Sequence, residues 1–308
     1  MSGHSHHHEH HHHHSHTVEL TSVKQAFIIG IVLNSAFVII EVIAGFSTNS
    51  LALLTDAGHN LGDVAGLALS LIAFRLAKVK ADKDYTYGYS KTTILVALIN
   101  AVVLLIAIGG IGYEAVLRFF KPEPTQGIPM AIVAGIGILV NSVSALFFLR
   151  DKDKELNMRG AYLHLALDAL VSAGVVVAGV IIYFTGLYWI DSAISIVIMI
   201  VILFSTLNLL KDSFRLSLDA VPRNIDMDEV KAAIVKIGGV RDMHHIHVWA
   251  LSTTVNALTA HIVIDENMAA VDEQQLKEKV KHELQHYNIQ HATLETERGK
   301  LHCSDEEH

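Results

Sequence analysis

Two short segments carry residues whose types and spacing could hold a metal ion. DAGHNLGD contains His59 and Asp63, and HLALD contains His164 and Asp168; in each, an imidazole and a carboxyl group are four residues apart. On a helix an i,i+4 pair shares one face, which aims both side chains of a segment at a common point. Two such faces brought together offer two nitrogens and two carboxylate oxygens, a tetrahedral set for a borderline divalent cation, of which zinc is the commonest fit. A lone H-x-x-x-D on a soluble helix usually marks a solvated face. Here both copies lie in long apolar runs, where an unpaired carboxylate costs at least ~2.5 kcal/mol on insertion scales and an ionisable residue is functional by default. Asp56, one turn before His59, reads as a neighbour of this set or a residue at its outer mouth.

The elements that must position these four residues are membrane spans. The chain has 308 residues, 51% of them hydrophobic against 18% charged, with a mean hydropathy of +0.40. Six stretches, 26–46, 51–77, 91–117, 128–149, 160–184 and 188–210, each reach the ~20 helical residues that cross a ~30 Å hydrocarbon core. No cleavable signal fits the polar N-terminus. The links after the second and fourth spans carry Arg75, Lys78, Lys80, Lys83 and Lys91, then Arg150, Lys152, Lys154 and Arg159, whereas STNS and GLYW on the other side hold no Lys or Arg. By the positive-inside bias the N-terminus, the even-numbered links and the C-terminal region are cytoplasmic. A net charge of −8 argues against nucleic acid as a partner, since Lys and Arg are not in excess to neutralise phosphates. A single cysteine, Cys303, excludes an intramolecular disulfide framework.

Beyond residue 211 the sequence turns polar and reads as a small α+β unit. Val230, Ile234 and Ile237 have helical spacing, HHIHVWAL and VNALTAHIVID read as strands, residues 268–286 return to helix, and NIQHATLETE closes as a strand. The predicted order is αββαβ. The boundaries expected are a His-rich tail at 1–22, the spans within 23–210, a linker at 211–222, the cytoplasmic unit at 223–299 and a tail at 300–308. Ten of the 21 histidines crowd the first sixteen residues. That tract is open to three readings: an affinity tag, although Ser5, Glu9 and Ser15 interrupt it; a ligand donor to a neighbouring protomer; or a disordered metal buffer, the reading favoured here.

The sequence resembles the cation diffusion facilitators, in their zinc-transporter branch, from about residue 23 to 297. The resemblance rests on NSLALLxDAxHNLxD from Asn49 to Asp63, YGY at Tyr87 to Tyr89, RGAYLHxxxD from Arg159 to Asp168, and HHIHVW in the tail. It implies an α-helical membrane protein of six transmembrane helices with a C-terminal metallochaperone-like domain. It also implies a homodimer in a lipid bilayer, of the bacterial inner membrane given the short loops, that exports Zn2+, with Co2+ and Cd2+ as alternatives, in exchange for protons. Its transport site would be His59, Asp63, His164 and Asp168. The exchange also follows from the four groups themselves: two carboxylates balance a bound dication, and once it leaves, their repulsion and the freed imidazoles favour taking up protons.

The family pattern further implies roles for residues outside the spans. His244, His261 and His291 resemble ligands for cytoplasmic Zn2+, and Glu297, His302 and Cys303 could complete such sites across a dimer, drawing two cytoplasmic domains together. His282 and His286 read as a solvated pair. Lys91 matches the basic position of Y-G-x-x-(R/K)-x-E, and Asp219, between Leu218 and Pro222, matches an acid after the sixth span, giving an interlock near the membrane surface; the plainer reading is snorkelling and helix termination. Two positions depart from the pattern. Tyr85 and Tyr89 stand where some members have histidines of an additional metal site, which is therefore expected to be absent, and Thr93 stands where many have Glu. Within the family, His at position 59 in place of Asp is associated with zinc over cadmium, and physically a nitrogen for a negative oxygen disfavours harder ions. The rival class is a membrane-anchored metal sensor that moves no ion. An enzyme is not expected, the H-E-x-x-H string at His282–His286 being read as part of that solvated pair on a polar helix.

Overall fold

The computed structural model describes residues 20–149 and 156–299. Six helices come first: α1 (Leu20–Thr48), α2 (Leu51–Ala77), α3 (Thr92–Phe120), α4 (Gly127–Leu149), α5 (Leu156–Thr185) and α6 (Trp189–Ser217). They coincide with the six predicted spans. Five are long and apolar enough to cross a membrane, while the described apolar part of α1, Val32–Thr48, is shorter. Ile39, Ile43, Phe46, Ile106, Leu139, Leu170 and Phe204 point outward from the bundle, as lipid-facing side chains must when the solvent is hydrocarbon.

Packing puts α2 at the centre. It touches α1, α3, α5 and α6, whereas α4 lies along α5 and α3 along α6. Gly58, Gly62 and Gly66 form a stripe on α2, and a Cβ on any of them would press into Ile111, Leu104 or Asn100 of α3. Small residues at that spacing let two helix backbones approach closely, as is usual where hydrocarbon supplies no hydrophobic force between helices. The start of α2 is pinned by a buried carboxylate on α6. Asp191 accepts hydrogen bonds from Ser50 Oγ at 2.6 Å and from the Leu51 backbone N–H at 2.7 Å, and Ser50 Oγ accepts from Leu53 N–H at 3.2 Å, satisfying donors that a helix start leaves unpaired.

The C-terminal unit has the predicted αββαβ order: α7 (Met227–Val235), β1 (Val240–Ala250), β2 (Asn256–Ile264), α8 (Ala270–His286) and β3 (His291–Arg298). β1 pairs antiparallel with β2, and β3 pairs parallel on the other side of β2, with α8 as the crossover that a parallel pair requires. Val230, Ile234, Met243, Leu258, Ile262, Val280 and Leu284 fill the core between helices and sheet. Glu273 of α8 ties that helix to the edge strand, accepting from Thr296 Oγ1 and Arg298 Nη2, each at 2.7 Å, and from Lys277 Nζ at 3.0 Å. These hydrogen bonds, led by Thr296, hold its carboxyl down to about 2.

Helix and sheet parts meet through specific contacts. The sixth helix runs on to Ser217, so the first seven residues of the expected linker 211–222 are helical. Lys91 Nζ lies 2.7 Å from Asp219 Oδ1 in a half-exposed ion pair, and Arg223 pairs with Asp212 at 2.8 Å. Thr93 Oγ1 accepts from the Thr253 backbone N–H at 3.1 Å and donates to the Ser90 carbonyl at 3.0 Å. Thr93 thus docks the β1–β2 loop onto the start of α3. The rings of Tyr85 and Tyr89 pack against each other, 4.7 Å between centroids.

Candidate metal centres

The two i,i+4 pairs converge as their spacing predicts. His59 Nε2 is 3.6 Å from Asp63 Oδ2 and 3.6 Å from Asp168 Oδ1, and His164 Nε2 is 3.1 Å from Asp63 Oδ2 and 3.5 Å from Asp168 Oδ2. Each imidazole therefore faces both carboxylates. A tetrahedron with metal–ligand bonds of the zinc length has edges of about 3.3 Å, and the four nitrogen–oxygen separations bracket that value. His59, Asp63 and His164 alone already hold three ligand atoms within 4.8 Å of one another. Asp168 is buried and His164 is exposed. The cluster lines a cavity of about 320 Å3 walled by Leu104, Leu167, Val171 and Ile202, which extends along α6 to Leu209, toward the end of the bundle that carries the C-terminal unit.

Beside this set lies a polar layer that includes Asp56 and a residue the sequence reading passed over. Asp56 is buried and accepts from Ser172 Oγ of α5 at 3.2 Å. Glu41 of α1 is buried and accepts from Asn60 Nδ2 of α2 at 3.1 Å. Glu41 was findable: it is an acid within an apolar run, subject to the same argument that singled out Asp63 and Asp168.

A second cluster lies on the sheet. His244 and His261 are direct cross-strand partners, His244 Nε2 is 3.4 Å from Glu297 Oε2, and His261 Nδ1 is 2.7 Å from Glu297 Oε1. These three hold ligand atoms within 4.8 Å of one another. His291 is not with them: it opens β3 opposite Ala257, four residues or about 13 Å down the strand from His261, and its ring meets Tyr87 instead, 5.4 Å away. His245 joins the cluster unpredicted. Register slips between His244 and His247, His245 takes a positive φ of 50°, and this bulge brings its ring 5.1 Å from that of His261. His282 and His286 are both exposed on α8 with rings 5.3 Å apart. His302, Cys303 and the N-terminal histidine tract lie outside the described residues.

Both halves of this architecture match known proteins. A family model described as the cation efflux transmembrane domain covers residues 27–216, and one described as the cation efflux protein cytoplasmic domain covers residues 222–298. The chain belongs to the cation efflux family. It is 38% identical over 276 residues to a "Cadmium, cobalt and zinc/H(+)-K(+) antiporter" of Bacillus subtilis, covering 89% of each chain. It is 38% identical over 275 residues to the "Metal cation efflux system protein CzcD" of Cupriavidus metallidurans, covering 89% of this chain and 86% of that one. With the "Zinc transporter ZitB" of Escherichia coli it shares 35% identity over 275 residues, 88% of this chain and 87% of the other. The six-helix bundle with its αββαβ unit is thus that of an integral membrane cation transporter of this family.

Proposed function

We propose that the chain moves Zn2+, with Co2+ and Cd2+ as alternatives, out of the cytosol in exchange for protons, through His59, Asp63, His164 and Asp168. The observation that carries this reading is the convergence of two imidazoles and two carboxylates at zinc-like edge lengths inside the bundle. The printed names of the relatives, which include zinc, cadmium, cobalt and H(+) antiport, support it.

Charge balance explains the coupling. Asp63 and Asp168 cancel a bound dication, and the imidazoles serve as neutral ligands. Once the ion leaves, two carboxylates at close quarters repel each other, and carboxylates and imidazoles alike gain by taking up protons. An acidic outer side therefore helps eject the ion and returns the carrier loaded with protons. Alternation between inward-open and outward-open states completes the cycle. A sensor that moves no ion needs no ligand set at bilayer depth.

The remaining assignments extend this reading. A homodimer in a bacterial inner membrane, both termini cytoplasmic, would bind regulatory Zn2+ at His244, His261 and Glu297; the donor set of two imidazoles and a carboxylate suits zinc and leaves a position for a further ligand such as His302 or Cys303. The Lys91–Asp219 pair would transmit domain position to the spans, and the N-terminal histidines would concentrate metal near the entrance. The deciding experiment is zinc flux into proteoliposomes under an imposed pH gradient, wild type beside Asp63→Ala and Asp168→Ala. Flux that survives either substitution, or ignores the gradient, overturns the carrier reading.

A further inference from the structure

The last turns of α8 carry two histidines that belong to neither cluster. His282 and His286 are four residues apart and exposed, and i,i+4 spacing puts them on one helix face. Their rings stand edge to face, with centroids 5.3 Å apart and an interplanar angle of 78°. Two imidazoles on one tetrahedral ion at zinc bond lengths have centroids about 5 Å apart. The histidine pairs of the two clusters described above have the same arrangement: 5.8 Å and 80° for His59 and His164, 5.5 Å and 65° for His244 and His261. The α8 pair reaches that spacing within a single helix, with no second element needed to bring its members together.

The surroundings favour a cation. The helix ends at His286, and the negative end of a helix dipole attracts positive charge within the last turn. Glu283 lies between the histidines in the sequence, and Glu278, one turn before His282, lines a cavity of about 530 Å3 together with it. The nearby cation, Lys281, is held by Glu278 at 3.3 Å. His291 faces the same cavity, but its ring meets Tyr87. Among the described residues no third His, Cys or acidic donor forms a set with the pair inside a 4.8 Å span. HELQH has the spacing of helices on which two imidazoles hold zinc from one face. Catalytic zinc adds a third protein ligand, and the described residues supply none here. The chemistry is therefore that of binding, with the remaining coordination positions left to water.

We propose that His282 and His286 chelate a divalent cation of the zinc, nickel or copper kind, as a third metal site on the C-terminal unit. Imidazole nitrogens suit these ions, whereas Mg2+ and Mn2+ prefer oxygen ligands. With two protein ligands on an exposed face, the ion exchanges with solvent more readily than one held by His244, His261 and Glu297. The site stands on the α8 pair alone and does not depend on transport through the bundle.

The test is amide hydrogen exchange of the full-length protein in lipid nanodiscs, read on residues 280–287 with and without Zn2+. An ion bound by side chains at i and i+4 clamps the turn between them. At a zinc concentration ten times the dissociation constant, exchange in that segment is expected to slow by about tenfold. His282→Gln and His286→Gln, both at exposed positions outside the core, are each expected to abolish the slowing. His261→Ala, which opens the sheet cluster, is expected to keep it, and Mg2+ at the same concentration is expected to produce none. Slowing that persists in either glutamine variant, that disappears in His261→Ala, that Mg2+ reproduces, or that wild type never shows overturns the site.

Discussion

The bundle cluster and the sheet cluster use the same side-chain chemistry on opposite kinds of scaffold. In the bundle, two ligands ride on α2 and two on α5, helices that touch only sparingly, so one rigid displacement of either helix separates all four ligands into two pairs. In the sheet, His244, His261 and Glu297 stand on three strands joined by backbone ladders. They cannot part without breaking those hydrogen bonds. A carrier must release its ion every cycle, whereas a regulatory site must keep its ion across many cycles, and each scaffold suits one of these tasks. On the function proposed above, the mechanical attachment of the side chains, more than their identity, would distinguish a cargo site from a regulatory one.

The largest expected effect breaks the bundle cluster. Asp168→Ala removes a charge and a ligand together, and zinc flux should fall by at least ~100-fold, beyond the 10–100-fold that loss of a mere supporting partner costs; radiotracer uptake into proteoliposomes measures it. Next comes selectivity. His59→Asp trades a nitrogen for a negative oxygen, and competition between cadmium and zinc should shift toward cadmium by about tenfold, some 1.4 kcal/mol; equal preference in variant and wild type would remove the role given to His59. On the sheet, His261→Ala should lower zinc bound per chain by about one while changing flux at saturating zinc by only about threefold, because it biases an equilibrium without entering the path. Abolished flux would erase the distinction between the clusters.

Two smaller effects probe the scaffolds themselves. Glu273 is held at about 2 against an ordinary 4.5, and a depressed carboxylate stabilises the fold above its unfolded value and loses that contribution as pH falls through its folded one. Amide protection of α8 and β3 in the full chain should therefore be weaker in Glu273→Gln than in wild type at neutral pH. The difference should narrow below 4.5 and vanish near 2. Smallest of all is Lys91→Ala. Its pair with Asp219 is half-exposed, exposed pairs contribute within about 1 kcal/mol, and thermal unfolding should move correspondingly little. A flux loss well beyond that stability change would favour the interlock over ordinary snorkelling.

Much of this molecule was legible residue by residue. The spans were readable because crossing hydrocarbon demands long apolar runs, and the convergence of His59, Asp63, His164 and Asp168 because i,i+4 spacing already points each pair one way. The αββαβ order followed from hydrophobic period. Glu41 obeyed the same rule about acids in apolar runs, but its burial against Asn60 of another helix is a product of packing. In the sheet, the family resemblance named His291 with His244 and His261, and only the parallel pairing of β3 shows that Glu297 lies beside those two and His291 at the other end of the strand. His245, which strand alternation would turn to the opposite face from its neighbour His244, was recruited by a bulge.

By itself the sequence determined where the long apolar helices run, where the two His–Asp pairs lie and which family the chain resembles, since these depend on composition and on periods of a few residues. Tertiary structure decided that the pairs meet, which strand supplies the sheet's carboxylate, and that Thr93 docks the β1–β2 loop. Each of those depends on residues far apart in the chain becoming neighbours, and strand register and helix packing, unlike local period, are settled only when the whole core is filled at once.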